Sequence, residues 1–190
     1  MLHSPRLPQL LTCALLGLFA GGAQAATPGP APESLQPLLA TMNERLNIAD
    51  LVALTKWDSG KPIQDSAREA QVIADARKLA VARKLDPNDV AELVSAQMEA
   101  NKLVQYGLIA QWHAAGKAPD TPRPDLARQI RPQLDELQNR LLQQYARFVP
   151  YRTDPNCQDW LATARSGLIK DGLHGQALIP ATGELCVADR

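Results

Sequence analysis

An all-α fold is predicted by three features of this sequence. Ala, Leu, Gln and Arg dominate its 190 residues, and all four are good helix formers. Aromatic residues make up only 4% of the chain, poor material for sheets that draw on aromatic and β-branched side chains. Apolar residues recur at helical spacing in long segments bounded by Pro, Gly and Asp, and nothing alternates with the period of a strand. Charge narrows the function as well. The 20 basic and 20 acidic residues leave no basic excess to neutralise phosphates, which argues against a nucleic-acid partner.

Residues 1–25 read as a cleaved secretory signal outside the fold. Arg6 is the only charged side chain there, the apolar run from Leu10 to Ala20 is too short to span a bilayer, and Ala23-Gln24-Ala25 is a small-x-small cleavage pattern. Thr12 stands before Cys13 where lipidation wants a small residue, so a lipid anchor is not expected. The product is expected to be periplasmic or secreted, with no membrane association after cleavage. Removing the leader takes Arg6 with it and leaves the mature chain faintly acidic. It also leaves Cys157 and Cys186, an even pair in an exported chain, which reads as a disulfide. Closing a loop of roughly 30 residues stabilises a fold by about 3–4 kcal/mol in the chain-entropy model. Spacing this far from Cys-x-x-Cys suits a staple, not redox chemistry.

Residues 26–33 carry Pro28, Pro30 and Pro32 and form an extended lead-in. Residues 34–190 form one domain of four main helices and a stapled C-terminal segment. The first helix runs from about Ser34 to Trp57 and stops at Ser59-Gly60-Lys61-Pro62. The second starts at the Asp65-Ser66 cap and ends before Asp86-Pro87. The third opens with Asp86 as N-cap and Pro87 in the first helical position, and ends near Gly116. The fourth covers about Asp125 to Phe148, where Pro132 either kinks it or marks its true start. Two shorter helical pieces follow Cys157, broken at Asp171-Gly172.

Helical projection exposes an anomaly. On the first helix, Leu38, Met42, Ala49 and Val52 fall within about 60° of Arg45, and Lys56 falls in the same arc about 16 Å further along. Leu51 and Leu54 fall elsewhere, so a second face of this helix is also apolar. On the third helix, Val90, Val94, Leu108 and Trp112 form a stripe, and Gln97, Asn101 and Gln105 run through its centre as an i, i+4, i+8 row. Unpaired buried cations cost several kcal/mol each, and unpaired amides cost less. Long stems could snorkel, and the amides could bond to one another. Two cations and three amides together favour a positive, donor-rich pocket for a small anion, with Arg68 sharing a face with Val72 and Leu79 on the second helix. The mature chain has only His113 and His174 as histidines, in no metal-ligand spacing, so no metal is expected. Nucleophile-elbow, phosphate-loop and dinucleotide motifs are missing, so no covalent intermediate or cofactor is expected.

Several motifs resemble those of the all-helical, type II chorismate mutases. They are Glu44-Arg45-Leu46, Ala49-Asp50, Lys56-Trp57 and Pro62-Ile63-Gln64-Asp65-Ser66-Ala67-Arg68-Glu69. The signal peptide, the Gln97…Gln105-Tyr106 stretch and the two late cysteines resemble the secreted subclass. The resemblance runs from about Leu35 to Cys186, and its Arg–x₁₀–Lys–x₁₁–Arg-Glu framework is the specific part. It implies conversion of the dicarboxylate chorismate to prephenate by an intramolecular Claisen rearrangement, without a cofactor, in a homodimer. It further implies that Arg45 and Arg131 hold the two carboxylates, since guanidinium forks match carboxylates. Lys56 and Gln105 match positions that donate to the ether oxygen of the breaking bond. Glu69 matches a position that binds the ring hydroxyl, Arg68 and Asp65 match supporting charges, and Asn101 matches a pocket-lining position.

The chain departs from the family at a few places. Arg131 is followed directly by Pro132 and lies one residue further from Asp125-Leu126 than in some relatives, which makes Arg128 its substitute if the register slips. Val72 stands where some relatives carry an amide, and Asn101 replaces a small hydroxyl residue. Two competing readings are isochorismate pyruvate lyase, separable by pyruvate release, and a non-catalytic periplasmic anion-binding module. The second tolerates loss of Lys56 or Gln105 better than loss of an arginine. Gln105, unlike a glutamate, donates without needing a proton. The turnover rate is therefore expected to hold steady from mildly acidic to neutral pH, and a collapse over that interval in a pH–rate profile would count against Gln105 as donor.

Overall fold

The structure, a computed structural model, describes residues 29–187; the signal-peptide reading falls outside them. Among the described residues there are seven α-helices: α1 (Leu35–Asn47), α2 (Ala49–Ser59), α3 (Ser66–Ala82), α4 (Pro87–Ala115), α5 (Arg131–Phe148), α6 (Cys157–Ser166) and α7 (Gly172–Thr182). No strand occurs among the described residues. The 29-residue α4 is about 43 Å long and forms the spine, packing against α7, α3, α2 and α1. Helix α5 closes the bundle against α1 and α3.

The helix starts follow their caps. Asp86 accepts from the backbone N–H groups of Asn88 and Asp89, with Pro87 in the first helical turn. Asp65 accepts from Arg68 N–H, and its own N–H donates to the Glu69 carboxylate at 3.1 Å, a reciprocal cap. Gly60 and Gly116 end α2 and α4 at φ 62° and 73°, in the left-handed region where a side chain is strained.

Two elements differ from the sequence expectation. The long first helix is interrupted at Ile48, dividing it into α1 and α2. At this break the Asn101 side chain donates to the carbonyl oxygen of Arg45 at 3.1 Å. A side chain inserted into the i→i−4 ladder is a recognised cause of such breaks. The fourth helix starts with a π-helical turn at Leu126–Ile130, capped by Asp125, and becomes α-helical only at Arg131. Pro132 has no N–H and its ring crowds the carbonyl four residues back; the wider turn, with Arg131 N–H bonded to Leu126 O, sits directly before it.

The main core joins Leu35, Leu38, Leu39 and Met42 of α1 to Val90, Leu93 and Val94 of α4 and to Leu141, Leu142, Tyr145 and Phe148 of α5. A second apolar layer, Ala53 and Leu54 with Trp112, buries the other face of α2. Cys157 and Cys186 are bonded, and Arg152 donates to the carbonyls of Leu185 and Glu184, so residues 184–186 are held both covalently and by a buried cation. Replacing both cysteines with Ala is expected to lower stability by about 3–4 kcal/mol in urea titrations without changing the helical circular dichroism of the native state. An unchanged midpoint would show that the staple adds nothing.

Candidate functional site

Arg45, Lys56, Asp65, Arg68, Glu69, Asn101, Gln105 and Arg131, all eight residues singled out from the sequence, line a single cavity of about 170 Å³. It is walled by α1 to α5 and by the loop between α2 and α3. Arg131 lines it, whereas Arg128 does not and is exposed. Val72 contributes an apolar wall in place of an amide. Gln97 of the amide row lines it too, and Lys102, Asp135 and Gln138, which were not anticipated, complete the polar lining. Gln138 carried a usable signal, since it lies seven residues after Arg131 and so on the same helical face. Lys102 did not, since it projects about 120° from Val90, off the amide row.

The lining holds five cations, Arg45, Lys56, Arg68, Lys102 and Arg131, and three carboxylates, Asp65, Glu69 and Asp135. The excess of two positive charges suits a dianion. Arg45 is 7% exposed; one Nη donates to Leu134 O at 2.9 Å, and its Nε is buried with no partner among the described residues. Burial pushes its pKa down to about 10, with the nearby Asp135 charge opposing the shift. Below about pH 10 the guanidinium is charged in both the folded and unfolded states, so the desolvation cost is carried in full. Stability recovers only as pH rises above about 10.

The amides both bond together and line the cavity. Gln105 Nε2 donates to Asn101 Oδ1 at 2.7 Å, and Asn101 Nδ2 donates to Arg45 O. This chain points the Gln105 nitrogen at Asn101, leaves that nitrogen a second N–H, and leaves Oε1 buried without a partner among the described residues. Gln97 donates to Ala181 O at 2.7 Å and ties α4 to α7. Lys56 Nζ donates to Pro62 O at 2.7 Å, which pins the loop between α2 and α3 and leaves two of its protons free. Arg68 stands 3.6 Å from Asp135, an exposed pair of small energetic weight. Asp65 lines the cavity, but its carboxylate caps α3. No cluster of side chains suited to a metal ion occurs among the described residues.

Comparisons with known proteins converge on one family. Residues 36–106 match the family described as chorismate mutase type II. The chain is 31% identical to a secreted chorismate mutase of Mycobacterium tuberculosis, over 99% of this chain and 98% of that protein. It is 33% identical to one of Mycolicibacterium smegmatis, over 93% and 99%. The crystal structure of a chorismate mutase from Burkholderia phymatum superposes with a TM-score of 0.79 at 43% identity, covering 81% of this chain and 96% of that one.

The electrostatics of Arg45 yield a stability test. Replacing Arg45 with Met removes a buried charge that has one acceptor and no direct counter-ion, so the urea midpoint at pH 7 is expected to hold or rise while anion binding is lost. A loss of more than about 1 kcal/mol in stability would contradict the idea that this guanidinium is held at a cost for a ligand.

Proposed function

The chain belongs to the secreted, all-helical chorismate mutase family, and from that premise we propose how its cavity rearranges chorismate to prephenate. The observation that carries the reading is the convergence of an excess of two positive charges with two free donors, on Lys56 and Gln105, in one cavity. Arg45 and Arg131 hold the two carboxylates, and each presents planar N–H groups that match a carboxylate edge. Binding supplies the Arg45 guanidinium with the acceptors its surroundings lack.

The reaction is intramolecular. The ether C–O bond breaks as the new C–C bond forms, and no proton or electron enters or leaves. Negative charge grows on the ether oxygen in the transition state. Lys56 Nζ–H and the second Gln105 Nε2–H donate to that oxygen, and because they are already held in place they stabilise the transition state more than the ground state. Glu69 accepts from the ring hydroxyl, and Arg68 offsets the charge of Asp135. Holding the flexible substrate in a compact reactive conformer supplies the rest of the acceleration. Nothing in this scheme requires a cofactor, and the working unit is a periplasmic homodimer with a site in each chain.

Purified mature protein is expected to consume chorismate and release prephenate; no detectable turnover would sink the reading, and pyruvate release from isochorismate would redirect it. Lys56→Ala is expected to lower kcat on the order of 10²-fold or more, as for loss of a preorganised donor to a developing oxyanion. A rate within about twofold of the parent would remove Lys56 from the mechanism.

A further inference from the structure

We propose that Lys102 is a positioning residue that sets recognition of the substrate's ring hydroxyl by clamping Glu69. The inference rests on the reading of Glu69 as the hydroxyl acceptor. Lys102 lies on α4 and is turned away from the amide row toward α3. Its side chain is only 12% exposed, its Nζ donates to Glu69 Oε2 at 3.0 Å, and the same Nζ stands 2.7 Å from Glu99 Oε1 as an ion pair. The other Glu69 oxygen, Oε1, accepts from the backbone N–H of Asp65 at 3.1 Å. Both carboxylate oxygens are therefore held, from two directions, by groups on different elements. Each oxygen keeps a further lone pair for an incoming hydroxyl.

This clamp answers an electrostatic difficulty. A lone carboxylate lining a cavity for a dianion is repelled by its ligand and would swing outward. The Lys102 ammonium offsets the Glu69 charge inside the cavity wall, where both side chains are at most 20% exposed and screening is weak. Glu99 is 66% exposed and lies outside the cavity lining, so it steers the lysine without adding charge at the site.

The test compares turnover of chorismate with that of its analogue lacking the ring hydroxyl. Lys102→Met is expected to lower kcat/KM for chorismate by on the order of 10-fold or more while changing the analogue by less than about twofold, so that discrimination shrinks. Lys102→Arg is expected to restore most of it, and Glu99→Gln to preserve it. Lys102→Gln, which keeps a polar side chain of similar reach, serves if the Met variant does not fold by circular dichroism. Equal losses on both substrates would overturn the proposal, because they would mean that Lys102 acts on the dianion itself or on the fold. Glu69→Ala separates the two layers. Discrimination intact in Glu69→Ala would overturn the Glu69 reading, and with it the clamp. Discrimination lost there but intact in Lys102→Met would overturn the clamp alone.

Discussion

A guanidinium taken out of water must find acceptors or a counter-ion, and Arg45 finds one carbonyl, that of Leu134 on α5. That single bond crosses from the C-terminal turn of α1 to α5, so the helices on either side of the cavity are tied through the same group whose Nε has no partner among the described residues. The arrangement is poor for stability and good for binding a carboxylate. Buried charges of this kind are maintained where a ligand completes them, and the apolar residues around Arg45 supply the stability that it does not.

The break at Ile48 follows from the same region. Asn101 takes the Arg45 carbonyl and in turn accepts from Gln105, so one three-member chain interrupts a helix, orients an amide and links α1 to α4. The choice between amides that bond to one another and amides that line a pocket is therefore a false one here. Their mutual bonds consume some donors and, by fixing direction, leave a defined one for the cavity. Gln97 differs in its partner, donating to the Ala181 carbonyl and so tying α4 to α7.

The C-terminal segment supports the site from behind. Helix α7 packs along α4, and its buried His174 stands with Nδ1 2.8 Å from Asp171 and Nε2 2.9 Å from Asp50 on α2. The backbone N–H of His174 holds the Asp171 carboxyl below its usual range, which keeps this acceptor ionised at the helix start. Arg152, packed over the Tyr145 ring and paired with Asp89, fixes the stretch that the disulfide closes. These contacts hold the outer face of α4 in place, and its inner face carries Asn101, Lys102 and Gln105.

Periodicity, caps and breakers were enough to determine an all-helical fold and the starts of α3 at the Asp65 cap and of α4 at the Asp86 cap, while an even cysteine pair behind a secretory leader pointed to the Cys157–Cys186 bond. The unusual placement of Arg45, Lys56 and the amide row on apolar arcs was also legible, because burial of polar groups leaves a trace in a single helix. What a single helix cannot carry is which faces meet. The division at Ile48 depends on a side chain 53 residues away, from Asn101. The Lys102–Glu69 pair joins α3 to α4 through a residue that the apolar stripe leaves on its flank. Local spacing thus determined the components of a cationic site, and only the packing of five helices decided which donors stayed free, because a hydrogen bond between distant elements consumes a donor that no local pattern records.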